Sequence, residues 1–187
     1  MKKILIAMLI TAMAISLLAG CSGKTTGATK TGLGQIISIE NSADTSVEDG
    51  APVDGLAQVD TTMAAVTIDA NDKIVSVTID VAQTKVNFSD VGKITTDLEA
   101  ELKTKKELGN DYGMKQASTI SKEWFEQINA LEDWMVGKTI AEVKAMKVIN
   151  KDAEHTMIPD ETDLKTSVTL TVETFIAAVE EAVKNAE

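Results

Sequence analysis

The sequence predicts an α+β domain: a small antiparallel sheet containing a β-hairpin, packed against several helices, the last of them C-terminal. Three observations carry this. Val-Thr-Ile-Asp occurs at 66–69 and again at 77–80, separated by a turn of the Asn/Asp kind and flanked by alternating apolar residues. Ile120, Trp124, Ile128, Leu131 and Met135 recur at helical spacing and make one apolar stripe. Phe175, Val179, Ala182 and Val183 fall on one side of a closing helical run.

The elements follow in order. Residues 35–40 alternate as a short strand, and 41–55 are acidic and turn-rich, as in an exposed loop. Val66 and Ile68 on one arm, with Val75, Val77, Ile79 and Val81 on the other, give the hairpin one apolar face. Thr96 and Glu99 have the spacing of a capping box for a helix carrying Leu98 and Leu102, broken at Gly109 and Gly113. The helix bearing Trp124 stops at Gly137, and Thr139 with Glu142 opens a shorter one. Residues 150–163 form an acidic loop, and Thr171 or Thr174 caps the closing helix. Val66, Ile68, Val75, Val77, Ile79, Ile128, Leu131 and Val179 are expected in one core.

The N-terminus sets the compartment. Lys2 and Lys3 precede an apolar run, Ile4 to Leu18, and a small-residue cleavage site ends in Cys21. Leu-Ala-Gly-Cys at 18–21 resembles the lipobox of bacterial lipoproteins. It implies a signal peptide over 1–20, cleavage before Cys21, and lipid on that cysteine. Residues 21–34 then read as the lipidated cysteine and a flexible tether, with a reach of roughly 20 Å, and 35–187 as the folded domain. Cys21 is the sole cysteine, so no intramolecular disulfide is available and packing must supply the stability.

Charge narrows the partners. The chain has a formal net charge of −11, every basic residue is lysine, and removal of 1–20 takes away two lysines and no acid. A strongly acidic chain without guanidinium groups has no footprint for nucleic acid or anionic lipid, so the lipid anchor alone must hold it to the membrane. Nor is there an enzyme signature. The single histidine, His155, rules out a histidine-based metal cluster, and the acidic side chains around it lack EF-hand spacing. Gly-Lys-Thr at 23–25 and 137–139 lacks the upstream glycine of a phosphate-binding loop. Trp124 and Trp134, at helical positions, read as core rather than as a stacking platform.

Four stretches, DKIVSVTIDVAQTKVNF, TKKELGNDYGMKQAS, SKEWFEQINALEDWMVGKT and SVTLTVETFIAAVEEAVKNA, resemble the FMN-binding-domain lipoproteins of bacterial cell envelopes. The resemblance spans nearly all of 35–187. It implies covalent FMN, phosphoester-linked to a threonine in a motif D-x-x-[ST]-G-A-[ST] by a flavin transferase that uses FAD, and a role in extracytoplasmic electron transfer. On this sequence the motif falls at Asp163-Leu164-Lys165-Thr166-Ser167-Val168-Thr169. Asp163, Thr166 and Thr169 match. Ser167 replaces glycine and Val168 replaces alanine, and glycine there would allow positive φ or close approach of a cofactor. Thr26-Gly27-Ala28-Thr29 spells the motif's end more literally, but Gly23 stands where Asp is required and no helix follows. The expectation is a lipid-anchored protein on the extracytoplasmic face of the membrane, carrying FMN on Thr169. It would pass electrons between a donor and an acceptor that the sequence does not name, without transforming a substrate itself. The rival is a non-redox surface lipoprotein that keeps the fold without flavin.

Overall fold

The hairpin is the longest regular feature of the chain. The computed structural model describes residues 29–153 and 155–187; the expected signal peptide, Cys21 and Thr26–Ala28 lie outside them. Strand β1 (Lys30–Ser38) is followed by a two-stranded ribbon, β2 (Ser46–Glu48) and β3 (Ala51–Val53), and by the hairpin arms β4 (Gly55–Ile68) and β5 (Ile74–Phe88). The main sheet has the antiparallel order β1-β4-β5. Asp69 makes the hairpin turn by accepting the backbone N–H of Asn71 (2.8 Å) and of Lys73 (3.0 Å). Four helices follow: α1 (Lys105–Leu108), α2 (Trp124–Met135), α3 (Ile140–Lys144) and α4 (Glu173–Lys184). A small pair, β6 (Val148–Ile149) and β7 (Ile158–Pro159), lies between α3 and α4. The α+β class expected from the pattern is the one observed.

One face of the sheet carries the core. Val66, Ile68, Val77, Ile79, Ile128, Leu131 and Val179 are buried together, as their spacing requires. Helix α4 packs on β1 and β4, and α2 on β5. Trp124 of α2 meets Phe175 of α4 edge to face, with centroids 6.1 Å apart, and so joins the two helices above the sheet.

The contact of α4 with β1 is made by backbone. A Cβ on Gly32 would stand 2.0 Å from the Ala182 carbonyl oxygen, and one on Gly34 would stand 2.1 Å from that of Ala178. Both glycines had been read as tether, but Lys30–Gly34 belong to β1, and their small size lets the helix settle on the strand. The same helix covers the strand's open edge. Glu181 accepts the N–H of Gln35 (2.7 Å), Asn185 donates to the Leu33 carbonyl (3.0 Å), and Thr31 exchanges backbone bonds with Glu187. On the far edge, Glu132 of α2 accepts the N–H of Ile79 (2.5 Å) and Asp80 accepts that of Lys106 (3.1 Å).

Several expectations fail, each for a structural reason. Val75 is 48% exposed: the register slips between Thr67 and Ile68, so Ile74 faces Ile68 and Val75 is turned outward. The Thr96–Glu99 helix does not form. The Thr96 hydroxyl accepts the N–H of Asn87 instead, and Leu98 and Leu102 stay 75% and 64% exposed, with nothing to pack against. The capping box appears at Thr104–Glu107, where Lys106 can pair with Glu132 at 2.6 Å. Ile120 precedes α2 rather than joining it, while the Thr139–Glu142 box caps α3 as read. The expected loop at 41–55 contains the β2–β3 ribbon, turned at Asp49 and Gly50, and the acidic loop at 150–163 contains β7. The closing helix begins at Glu173 with Val172 at its cap, so neither Thr171 nor Thr174 caps it by side chain.

Two predictions follow from the packing and the charges. Gly34→Ala should cost about 3 kcal/mol or more, because the obstruction is helix backbone and no rotamer relieves it, whereas Gly92→Ala, with open space around it, should cost about 1 kcal/mol through its positive φ alone. Urea denaturation of the two variants measures the difference. For pH, burial alone would push the Asp60 carboxyl up, but the amides of Asn41, Gln58 and Gln83 outweigh it and hold it below its ordinary value. Backbone N–H groups of Lys73 and Asn71 lower Asp69, and those of Thr139 lower Glu142 with help from its hydroxyl. Lowered carboxylates stabilise the fold above their unfolded values and lose that contribution as pH falls through the folded ones. The urea midpoint should therefore hold from pH 7 to about 5 and decline below that, and Asp60→Asn should flatten part of the decline.

Candidate functional site

The chain approaching α4 is wound into tight turns. Glu161 O accepts the N–H groups of Leu164 and Lys165, and Leu164 O accepts those of Ser167 and Val168, at 2.7–3.0 Å. Leu164, Val168 and Val172, four residues apart, are buried in the core by this winding. Asp163, Lys165 and Thr166 are left exposed and Ser167 half-buried. Thr169 is half-buried and emerges at the wall of a cavity of about 440 Å³.

The cavity lies where three segments meet. Met114, Ala117, Ser118 and Thr119 come from the turns before α2, Ile149, Lys151, His155, Ile158 and Pro159 from β6, β7 and their connection, and Lys165, Thr169, Leu170 and Thr171 from the approach to α4. Its size suits a small organic ligand or cofactor, and its walls combine aliphatic surface with a few convergent polar groups. Among the described residues Lys151 and Lys165 have no ion-pair partner at their ammonium groups; Asp160 also lines the cavity, and the His155 ring lies 2.8 Å from Asp152.

Gln127 of α2 is fully buried and reaches the wall from below. Its Oε1 accepts both the N–H (2.9 Å) and the hydroxyl (3.2 Å) of Thr169, and its amide nitrogen faces the Lys122 carbonyl (3.3 Å) and the Ser118 hydroxyl (3.4 Å). Glu123, also buried, accepts the N–H of Met114 (2.9 Å) and holds the 114–122 segment to the start of α2.

Of the residues singled out from sequence, the structure brings Thr169 to the cavity wall and leaves Asp163, Thr166 and Ser167 outside its lining. Thr29, the end of the literal motif, is exposed before β1 and does not line the cavity. Helix α4 starts at Glu173, four residues after Thr169, within the start expected between Thr171 and Thr174. The departures from the motif have a structural reading. Ser167 is not among the positive-φ residues, so glycine's freedom is not needed, and Val168 fills core space. Gln127, Lys151 and Lys165 were missed. Gln127 had a signal, a polar residue three after Trp124 and four before Leu131 on an otherwise apolar stripe.

No protein-family model matches the chain, and no solved structure matches it. Over 41 residues, 22% of this chain, the sequence is 54% identical to chlorophenol reductase of Desulfitobacterium hafniense. That match spans 12% of the reductase. No helix among the described residues is long and apolar enough to cross a membrane.

Placing the motif's glycine and alanine at positions 167 and 168 should weaken the fold here. Val168→Ala removes two methyl groups from a filled core and should cost about 2 kcal/mol. Ser167→Gly should cost about 0.5–1 kcal/mol through unfolded-state entropy. Urea midpoints of the single variants measure both, and a gain in stability from Ser167→Gly would mean that the position is strained.

Proposed function

We propose that the chain is a lipid-anchored extracytoplasmic flavoprotein in which FMN is phosphoester-linked to Thr169 and electrons pass between an external donor and acceptor. The observation that carries this reading is the Thr169 hydroxyl in the wall of an apolar-sided cavity flanked by two lysines that have no ion-pair partner among the described residues. FMN, once attached, supplies the redox chemistry, and the chain's own residues bind, orient and shield. Met114, Ile149, Ile158 and Leu170 offer aliphatic surface to a planar ring. Lys151 and Lys165 offer positive charge to the phosphate in an otherwise acidic chain. A phosphodiester to threonine carries one negative charge fewer than free FMN, whose phosphate bears about −1.5 to −2 near neutral pH. Covalent attachment also prevents loss of the cofactor by dilution outside the cell. The short likeness to chlorophenol reductase agrees with a reductive setting over a small part of the chain.

The rival reading, a non-redox surface lipoprotein with the same fold, draws on Ser167 and Val168, which depart from the motif that a transferase would meet. The two readings separate on co-expression with a flavin transferase. Intact mass of the wild type should rise by one FMN, and peptide mapping should put it on Thr169. Thr169→Ala should abolish the added mass and the flavin absorbance while the variant stays folded, and Thr29→Ala should change neither. An unmodified Thr169 in the presence of active transferase would favour the non-redox reading, and flavin on Thr29 would overturn the placement.

A further inference from the structure

We propose that Gln127 is a positioning residue for the Thr169 hydroxyl: it holds the hydroxyl proton inward and leaves the oxygen's lone pairs toward the cavity, so that Thr169 is selected among the neighbouring hydroxyls as the attachment point. The inference rests on the flavin reading above and goes beyond it by assigning a role to a buried side chain outside the attachment motif.

The orientation of the Gln127 amide is forced by its neighbours. The backbone N–H of Thr169 can only donate, so the group facing it at 2.9 Å must be the amide oxygen. The Lys122 carbonyl can only accept, so the group facing it at 3.3 Å must be the amide nitrogen. Ser118 Oγ at 3.4 Å and Met114 Sδ at 3.6 Å complete the nitrogen's surroundings. With the amide fixed, its oxygen also receives the Thr169 hydroxyl at 3.2 Å. A threonine hydroxyl has one proton and two lone pairs, and committing the proton to Gln127 leaves the lone pairs for a group in the cavity. Thr166 is exposed and Thr171 lines the same cavity, and among the described residues neither has a side-chain hydrogen bond of this kind.

A primary amide is not a proton acceptor at neutral pH, so Gln127 acts on geometry and not as a base. During transfer the Thr169 Oγ–P bond forms as the pyrophosphate P–O bond of the dinucleotide flavin breaks. AMP leaves with that bond's electron pair, and the hydroxyl proton, turned away from Gln127 by rotation about the Cβ–Oγ bond as the ester forms, passes to a basic group of the transferase. The product's ester oxygen has no proton, and the Thr169 N–H still binds the Gln127 oxygen, so the anchor survives the reaction.

The test uses the full chain co-expressed with a flavin transferase, in wild-type, Gln127→Met and Gln127→Glu forms. Methionine keeps the length and removes the acceptor. Glutamate keeps the acceptor, and burial favours its neutral carboxyl, which can still donate to the Lys122 carbonyl. Incorporation is followed by intact mass, normalised to the folded fraction from circular dichroism, and the site is read by peptide mapping. Gln127→Met should load about tenfold more slowly or worse, with flavin spread to Thr171 or another nearby hydroxyl, because misplacing a nucleophile by a fraction of an ångström has effects of this order. Gln127→Glu should restore both the rate, to within about threefold, and the single site at Thr169. Loading of Gln127→Met at the wild-type rate and only on Thr169 would overturn the role of Gln127 while leaving the flavin reading intact. A slow Gln127→Glu variant still modified only on Thr169 would also overturn it, since it would tie the rate to packing and not to the acceptor. No flavin on the wild type would overturn both.

Discussion

The closeness of helix α4 to strand β1 is the constraint on which the rest of the molecule depends. A helix whose Ala182 and Ala178 carbonyls would stand about 2 Å from a Cβ at Gly32 or Gly34 cannot slide, tilt or rotate without leaving those glycines. Ala178 and Ala182, one turn apart, keep the helix side of this contact equally small. Aromatic residues make up 3% of the chain, so large rings contribute little to a core built from aliphatic side chains and close backbone approach. The same approach brings Glu181 and Asn185 onto the open edge of β1, so core packing and edge protection come from one helix.

Fixing α4 fixes what precedes it. Val172 is buried at the helix entrance and its N–H binds the Met157 carbonyl, which ties the approach segment to the strand pair on the cavity's other side. Val168 and Leu164 continue this buried row backward, leaving Thr169 one position past a core anchor and facing the cavity. Trp124, against Phe175, sets α2 relative to α4, and Gln127 lies on the next turn of α2 beneath Thr169. The hydroxyl is therefore positioned by two helices that are themselves locked, one by glycine contact and one by an aromatic pair. A site supported this way needs no flexible loop to assemble it.

What could be read from sequence were the features set by local rules. The hairpin turn, the α3 capping box, the aliphatic alternation and the α2 stripe each depend on residues within a few positions of one another. What could not be read was decided by distant partners. Val75 fits its strand's alternation until a slip in register with β4 turns it out, and the Thr96–Glu99 box was as good on paper as Thr104–Glu107. Only the second had Glu132 and Asp80 to dock against. The glycines of β1 looked like linker because their purpose lies about 150 residues further on. At the site, Thr169 was reachable through a motif that also contains Lys165, whereas Lys151 and Gln127 come to it from two separate segments.

Under the proposed flavin reading, the electrostatics would favour covalent over freely dissociating attachment. Two ammonium groups at a cavity mouth attract an anion, but the chain as a whole is strongly acidic, and Asp160 lines the same cavity. At physiological salt, screening over roughly 8 Å confines the lysines' influence to the mouth and spares them the more distant repulsion. The local field can therefore orient a phosphate more readily than it can retain a doubly charged, freely dissociating one. The proposed bond to Thr169 would remove the need for retention and would leave the protein the task of holding one oxygen and one ring face in a fixed relation. The same division accounts for the polar residues of the wall: the lysines supply charge at the mouth, while the buried amide of Gln127 supplies direction beneath the hydroxyl.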